Sequence, residues 1–94
     1  MHQLTLSPEK FFYSIDGKVF TSIEDLLNGL KNMTEDTFRY HLNNEKNDFY
    51  NWFMGVFQAS DLASSIKKVK TKTGFLKKLS KFFPNQHHAN KKML

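Results

Sequence analysis

Phe49, Trp52, Phe53, Val56 and Phe57 fall at i, i+3, i+4, i+7 and i+8. That period commits the segment to an amphipathic helix, because a 3.6-residue turn brings those positions onto one face. An aromatic face of that size has to be covered, since each buried ring removes a large area from water. The other residues must therefore supply the cover, and a chain of 94 residues builds one modest core and one domain. Ten Phe and a hydrophobic fraction of 39% suffice for that and exclude a disordered chain.

The covering elements are legible on both sides of the stripe. Phe11–Ile15 and Lys18–Thr21 are aromatic and β-branched runs separated by Asp16-Gly17, the strongest short signal for a β-hairpin. A two-residue type I′ loop pairs Ile15 with Lys18 and Tyr13 with Phe20, and needs positive φ at both central residues. A lone hairpin is marginal in water, so it should lie against helices. Ser22 caps a first helix, with Asp25 in a capping-box position and Ile23, Leu26, Leu27 and Leu30 as the core stripe. Gly29 inside it costs about 1 kcal/mol against Ala unless another backbone packs close. Thr34 caps a second helix, with Glu35 and Asp36 in its first turn and Phe38, His41 and Leu42 on its apolar side.

Asn43-Asn44 offers that helix a left-handed C-cap, and Asn47 or Asp48 caps the aromatic helix. Ser60 caps a fourth helix bearing Leu62, Ile66 and Val69. Thr73 caps a fifth, with Phe75, Leu76, Leu79, Phe82 and Phe83 on one side, until Pro84 stops it. The fold class is therefore α+β, an N-terminal β-hairpin followed by about five short helices. Residues 1–10 read as a loosely held lead-in, 11–83 as a single compact domain, and 84–94 as a basic tail expected to be disordered.

Charge divides the chain unevenly. Residues 1–62 hold five Lys/Arg against nine Asp/Glu, a net of −4. Residues 63–94 hold nine Lys and no acid, a net of +9, which together make the overall +5. This asymmetry points to nonspecific nucleic-acid association or an acidic protein partner, with a membrane surface as a further reading. The contacts would be Lys67, Lys68, Lys70, Lys72, Lys77, Lys78 and Lys81. The bland reading is a solvated face that complements the acidic body. Arg39 is the single Arg, so base readout by Arg forks is not expected and binding should follow the phosphate backbone. In the last helix, Phe residues opposite Lys77, Lys78 and Lys81 suit either an interfacial helix or closure of the core.

The absence of cysteine excludes disulfides and thiolate chemistry and fits a reducing, cytoplasmic setting. MHQLTLSPEK carries no secretory pattern, and no apolar run approaches the roughly 18 residues needed to span a bilayer.

Tyr40–Trp52, reading YHLNNEKNDFYNW, is the densest polar run. As a site it offers His41 as a base oriented by Asp48, with Asn43 and Lys46 binding an anionic or carbonyl group. As a tight helix corner it offers Asn43 as a left-handed cap, Asn47 or Asp48 as an N-cap, and His41 bonded to a loop carbonyl. Capping requires none of Tyr40, His41 and Lys46. No nucleophile motif or Gly-rich phosphate loop accompanies the His. A non-enzymatic binding module without cofactor is the leading expectation, and a small enzyme using His41 is the alternative. His2, His41, His87 and His88 lack metal-ligand spacing, so no metal site is expected.

Phe38, Tyr40, His41, Asn43, Lys46, Asn47, Asp48, Phe49 and Trp52 spell F-x-YH-x-N-x-x-KNDF-x-x-W, with Leu62-Ala63 further on. The pattern resembles a small domain of unknown function found in archaeal and some bacterial proteins, spanning roughly residues 11–83. The resemblance implies an aromatic hairpin, a Leu-rich helix, the motif and an LA-containing helix, and no reaction. Tyr50 departs from it by standing where a small residue is common. The Phe-rich last helix, at the end of that span, and the His/Lys tail beyond it carry no residues that match the pattern.

Overall fold

The hairpin turns through three residues rather than two. In the computed structural model, which describes residues 6–83, β1 (Phe12–Tyr13) runs antiparallel to β2 (Val19–Phe20). Phe12 stands opposite Phe20 and Tyr13 opposite Val19. Ser14 N–H donates to the Lys18 carbonyl, and Gly17 N–H to the Ser14 carbonyl, each at 2.9 Å. Gly17 has φ 95° and Asp16 does not share the positive φ, so the loop is a β-turn closed by a left-handed glycine and not a type I′ pair. The corrected register has a physical reason. It puts Phe12 and Phe20 together on the buried face and leaves Tyr13 and Val19 together outside. The Lys18 N–H, donating to Asp16 at 3.1 Å, holds that carboxyl below its usual range.

From Leu6 onward the lead-in is fastened rather than loose. Pro8–Lys10 form a 3-10 turn. The Tyr13 hydroxyl donates to the Pro8 carbonyl at 2.6 Å, and the Trp52 indole N–H to the Lys10 carbonyl at 2.8 Å. The expectations for residues 1–5 and for the tail 84–94 lie outside the described residues.

Among the described residues five helices follow. α1 (Ile23–Leu30) starts at Ser22, whose hydroxyl accepts the Asp25 N–H at 3.0 Å. The Asp25 carboxylate in turn accepts the Thr21 N–H at 2.9 Å. α2 (Glu35–His41) starts at Thr34 and α3 (Asp48–Phe57) at Asn47, each through a side-chain cap. α3 stops at Gln58, which is left-handed with φ 53°.

α4 (Ser60–Ile66) has no side-chain cap: Ala59 holds the cap position and Ser60 lies inside the helix. The Ala59 carbonyl accepts the Ala63 N–H, so the first bond forms one residue earlier than the Ser predicts. α5 (Lys72–Ser80) is capped by Thr71, not Thr73, with the Thr71 hydroxyl accepting the Gly74 N–H at 3.1 Å. The tight return from α4 is accommodated at Gly74, where a Cβ would lie 3.1 Å from Val69 Cγ1. Among the described residues no helix is long and apolar enough to cross a membrane.

The core gathers around Phe49. Its ring lies 5.2 Å from Phe12, 5.6 Å from Phe38 and 5.0 Å from Phe75, centre to centre. Phe75 and Leu79 are fully buried, which makes α5 a wall of the core. Phe82, expected on the same face, is 42% exposed because α5 ends at Ser80 and the chain turns away.

Gly29 is explained by a ring rather than a backbone. A Cβ there would come within 2.6 Å of Phe20 Cζ, and Phe20 is buried and cannot step aside. Ala gains about 1 kcal/mol in helix propensity, but overpacking a core costs about 1–3 kcal/mol. We expect Gly29→Ala to lower stability, while Gly55→Ala, where a Cβ meets nothing within 4 Å, raises it by up to about 1 kcal/mol. Urea midpoints of the two variants decide this: a gain in both would show that Phe20 yields.

Candidate functional site

The corner between α2 and α3 is closed by side chains. α2 ends at Leu42 in extended conformation, φ −136° and ψ 108°, and neither Asn43 nor Asn44 is left-handed. The Asn43 side chain replaces the expected backbone cap. Its Nδ2 donates to the carbonyls of Arg39 at 3.0 Å and Tyr40 at 3.2 Å, groups that the helix end leaves unpaired. Its Oδ1 accepts the Glu45 N–H at 2.9 Å, and its own N–H donates to the Lys46 carbonyl at 2.9 Å. Leu42 and Asn47 form an antiparallel bridge across the loop. Asn47 is thereby delivered as the α3 cap, its Oδ1 accepting the Tyr50 N–H at 3.0 Å, and the Asp48 carboxylate is left for other work.

That work is to hold His41, which is 4% exposed. His41 Nδ1 and Asp48 Oδ2 are 2.9 Å apart, and Nε2 accepts the Ile15 N–H at 3.0 Å. A backbone N–H only donates, so Nε2 carries no proton and Nδ1 carries the one it donates to Asp48. His41 therefore bonds a loop N–H and not a loop carbonyl. The hairpin ladder has already used the Ser14 N–H and carbonyl, and the Ile15 N–H is taken by the imidazole. Lys46 Nζ shares Asp48 Oδ2 at 3.0 Å and stands 4.0 Å from the centre of the Tyr40 ring, which lies T-shaped to His41 with ring centres 4.9 Å apart. Tyr40, His41 and Lys46, the residues that capping left unexplained, thus form one connected chain with Asp48, which was offered as a cap. Both imidazole nitrogens are engaged, Nδ1 within it and Nε2 by Ile15 of the hairpin.

Beside the corner lies an open polar groove of about 400 Å³. Asn44, Asn51, Tyr50 and Lys67 line it, with the edge of the corner loop and its one carboxylate, Glu45. It adjoins a second hollow lined by Arg39 and Leu42, and Asn43, Asn44 and Lys70 belong to both. Lys67 Nζ lies 5.7 Å from the centre of the Tyr50 ring. Cations therefore outnumber carboxylates here among the described residues.

The predicted basic residues divide accordingly. Lys67 and Lys70 join the corner, because α4 packs on α3 and ends beside it. Lys68, Lys77, Lys78 and Lys81 are exposed. Lys72 is half-buried, its Nζ donating to the Met33 carbonyl at 2.6 Å, which ties α5 to the end of α1. Arg39, Asn44, Tyr50 and Asn51 were not among the expected site residues. Asn47 and Asn51 stand at i, i+4 on α3, and Arg39 precedes Asn43 by one helical turn, so helical spacing held that signal. Among the described residues no group of three or more His, Asp or Glu is placed to hold a metal. No family model matches the chain, and neither the curated proteins nor the solved structures contain a match. The reading of the site rests on its own residues.

Proposed function

We propose that this domain is a non-enzymatic, cytoplasmic binding module that associates with nucleic acid without sequence specificity and without a cofactor. The observation that carries the reading is the meeting of two features far apart in sequence. The amide-rich corner and the start of the Lys-rich third meet at one groove and the hollow adjoining it, with Lys67, Lys70 and Asn51 on the groove, Arg39 on the hollow, and Asn43 and Asn44 on both. Ammonium and guanidinium groups neutralise phosphates, and the carboxamides of Asn44 and Asn51 donate to phosphate and sugar oxygens, while that of Asn43 is spent on closing the corner. Lys68, Lys77, Lys78 and Lys81, exposed on the same part of the chain, add the longer-range field that steers a polyanion in. Binding is preferred to catalysis because the His41 lone pair is already taken by Ile15.

The test uses the full chain, since a chain cut before α5 loses Phe75 and Leu79 from the core. Affinity for a labelled oligonucleotide, followed by anisotropy between about 50 and 200 mM salt, should fall steeply. Lys67→Gln with Lys70→Gln should flatten the log–log slope by about 1.4 on a single strand, about 0.7 for each lost phosphate contact. An unchanged slope would remove the groove from the reading. No binding to DNA or RNA would overturn it and leave an acidic protein partner as the occupant.

A further inference from the structure

Resting on that reading, we infer that the groove takes single-stranded nucleic acid, with one base stacked on Tyr50. Tyr50 sits in the first turn of α3, where the Asn47 cap fixes its backbone and the core holds part of its ring. The remaining surface lines the groove, and the Lys67 ammonium stands over its face, 5.7 Å from the ring centre. A cation at that distance is close enough to feel the ring quadrupole, and the partly exposed ring borders the groove. Lys67 is exposed, and its ammonium makes no hydrogen bond among the described residues and is free to swing aside. A base laid on the ring would displace it toward the adjoining phosphate, so the same lysine would serve the ring when empty and the strand when bound.

The neighbouring side chains suit a base with its edge uncovered. Asn44 and Asn51 line the groove, and their carboxamides make no hydrogen bonds among the described residues. Each offers a donor and an acceptor on one plane, which matches the mixed edge of any base and selects none. In a duplex that edge is paired and the π-faces are already stacked. A duplex would then engage only Arg39, Lys67 and Lys70, whereas a single strand gains the Tyr50 platform and the amides as well. Stacking on an aromatic side chain tolerates every base, in keeping with association that lacks sequence preference.

The experiment compares an oligothymidylate of about twelve nucleotides with the corresponding dA·dT duplex, at equal salt and with the full chain. We expect the single strand to bind about tenfold more tightly. Tyr50→Leu, which keeps apolar bulk against the core but removes the π-face, should lose about that factor on the single strand and leave the duplex unchanged. Tyr50→Phe should retain the preference. A 2-aminopurine placed within the thymidylate should be quenched when the unaltered protein binds, a readout that does not depend on any variant folding. Equal affinity for the duplex, equal weakening of both ligands by Tyr50→Leu, or an unquenched 2-aminopurine would each overturn the stacking inference and leave the polyanion reading standing. Absence of binding to both ligands would overturn the two together.

Discussion

Replacing Phe49 by Ala is expected to remove about 4 kcal/mol of stability and to lower Tm by roughly 15–30 °C. Phe49 has no exposed surface, and its ring is the meeting point of Phe12 from the hairpin, Phe38 from α2 and Phe75 from α5. The truncation therefore loses the transfer energy of one ring and leaves a cavity walled by three elements that cannot all collapse inward at once. Against the usual total of about 5–15 kcal/mol for a domain of this kind, that is a large share. Phe82→Ala supplies the comparison. Phe82 follows α5 and is 42% exposed, so its removal should cost no more than about 0.5 kcal/mol. Thermal melts of the two variants read the difference directly. If the two cost the same, the core does not converge on Phe49.

Much of this architecture is written in local sequence. The stripes of α1, α3 and α5 repeat at helical spacing, and Ser22, Thr34 and Asn47 cap where their side chains predict. What local sequence does not decide is any choice between two equally good chemistries. Asp16-Gly17 serves a two-residue and a three-residue turn alike, and the choice falls to Phe12 and Phe20, which must both reach the buried face. Thr71 and Thr73 cap equally well, and the return from α4 favours the earlier one. Asn43 can satisfy a helix end through its backbone or its side chain, and the Arg39 and Tyr40 carbonyls receive the latter.

The site divides along the same line. Tyr40, His41, Lys46 and Asp48 lie within one short run and were legible as a group. Their fifth partner, the Ile15 N–H, is 26 residues from His41, and Lys67 and Lys70 arrive only through the packing of α4 on α3. No periodicity within the corner can indicate those contributions.

The partnership with Ile15 gives the second large prediction. His41→Leu keeps an apolar side chain of similar bulk but takes away both hydrogen bonds, one of them to a carboxylate. A bond to a charged group is worth about 1.5–3 kcal/mol and a neutral one about 1 kcal/mol. Asp48 is about one-third exposed and Ile15 is exposed, so water recovers part of that. A loss of about 2 kcal/mol is expected for His41→Leu. His41→Ala should lose about 3 kcal/mol, because the edge contacts to Phe12 and Tyr40 go as well.

His41→Gln should cost least, about 1 kcal/mol, since a carboxamide also carries a donor and an acceptor and can address Asp48 and Ile15 together. The order Gln, Leu, Ala in urea midpoints is specific to a residue that joins the hairpin to the corner. Nitrogen-15 spectra of the imidazole add an independent readout, because only the tautomer with its proton on Nδ1 fits an Nε2 that accepts from Ile15. A Leu variant as stable as the parent, or an imidazole protonated on Nε2 alone, would break the proposed link. If the order holds and nucleic-acid affinity stays constant in the folded variants, His41 acts by fixing the corner, and the groove beside it does the binding.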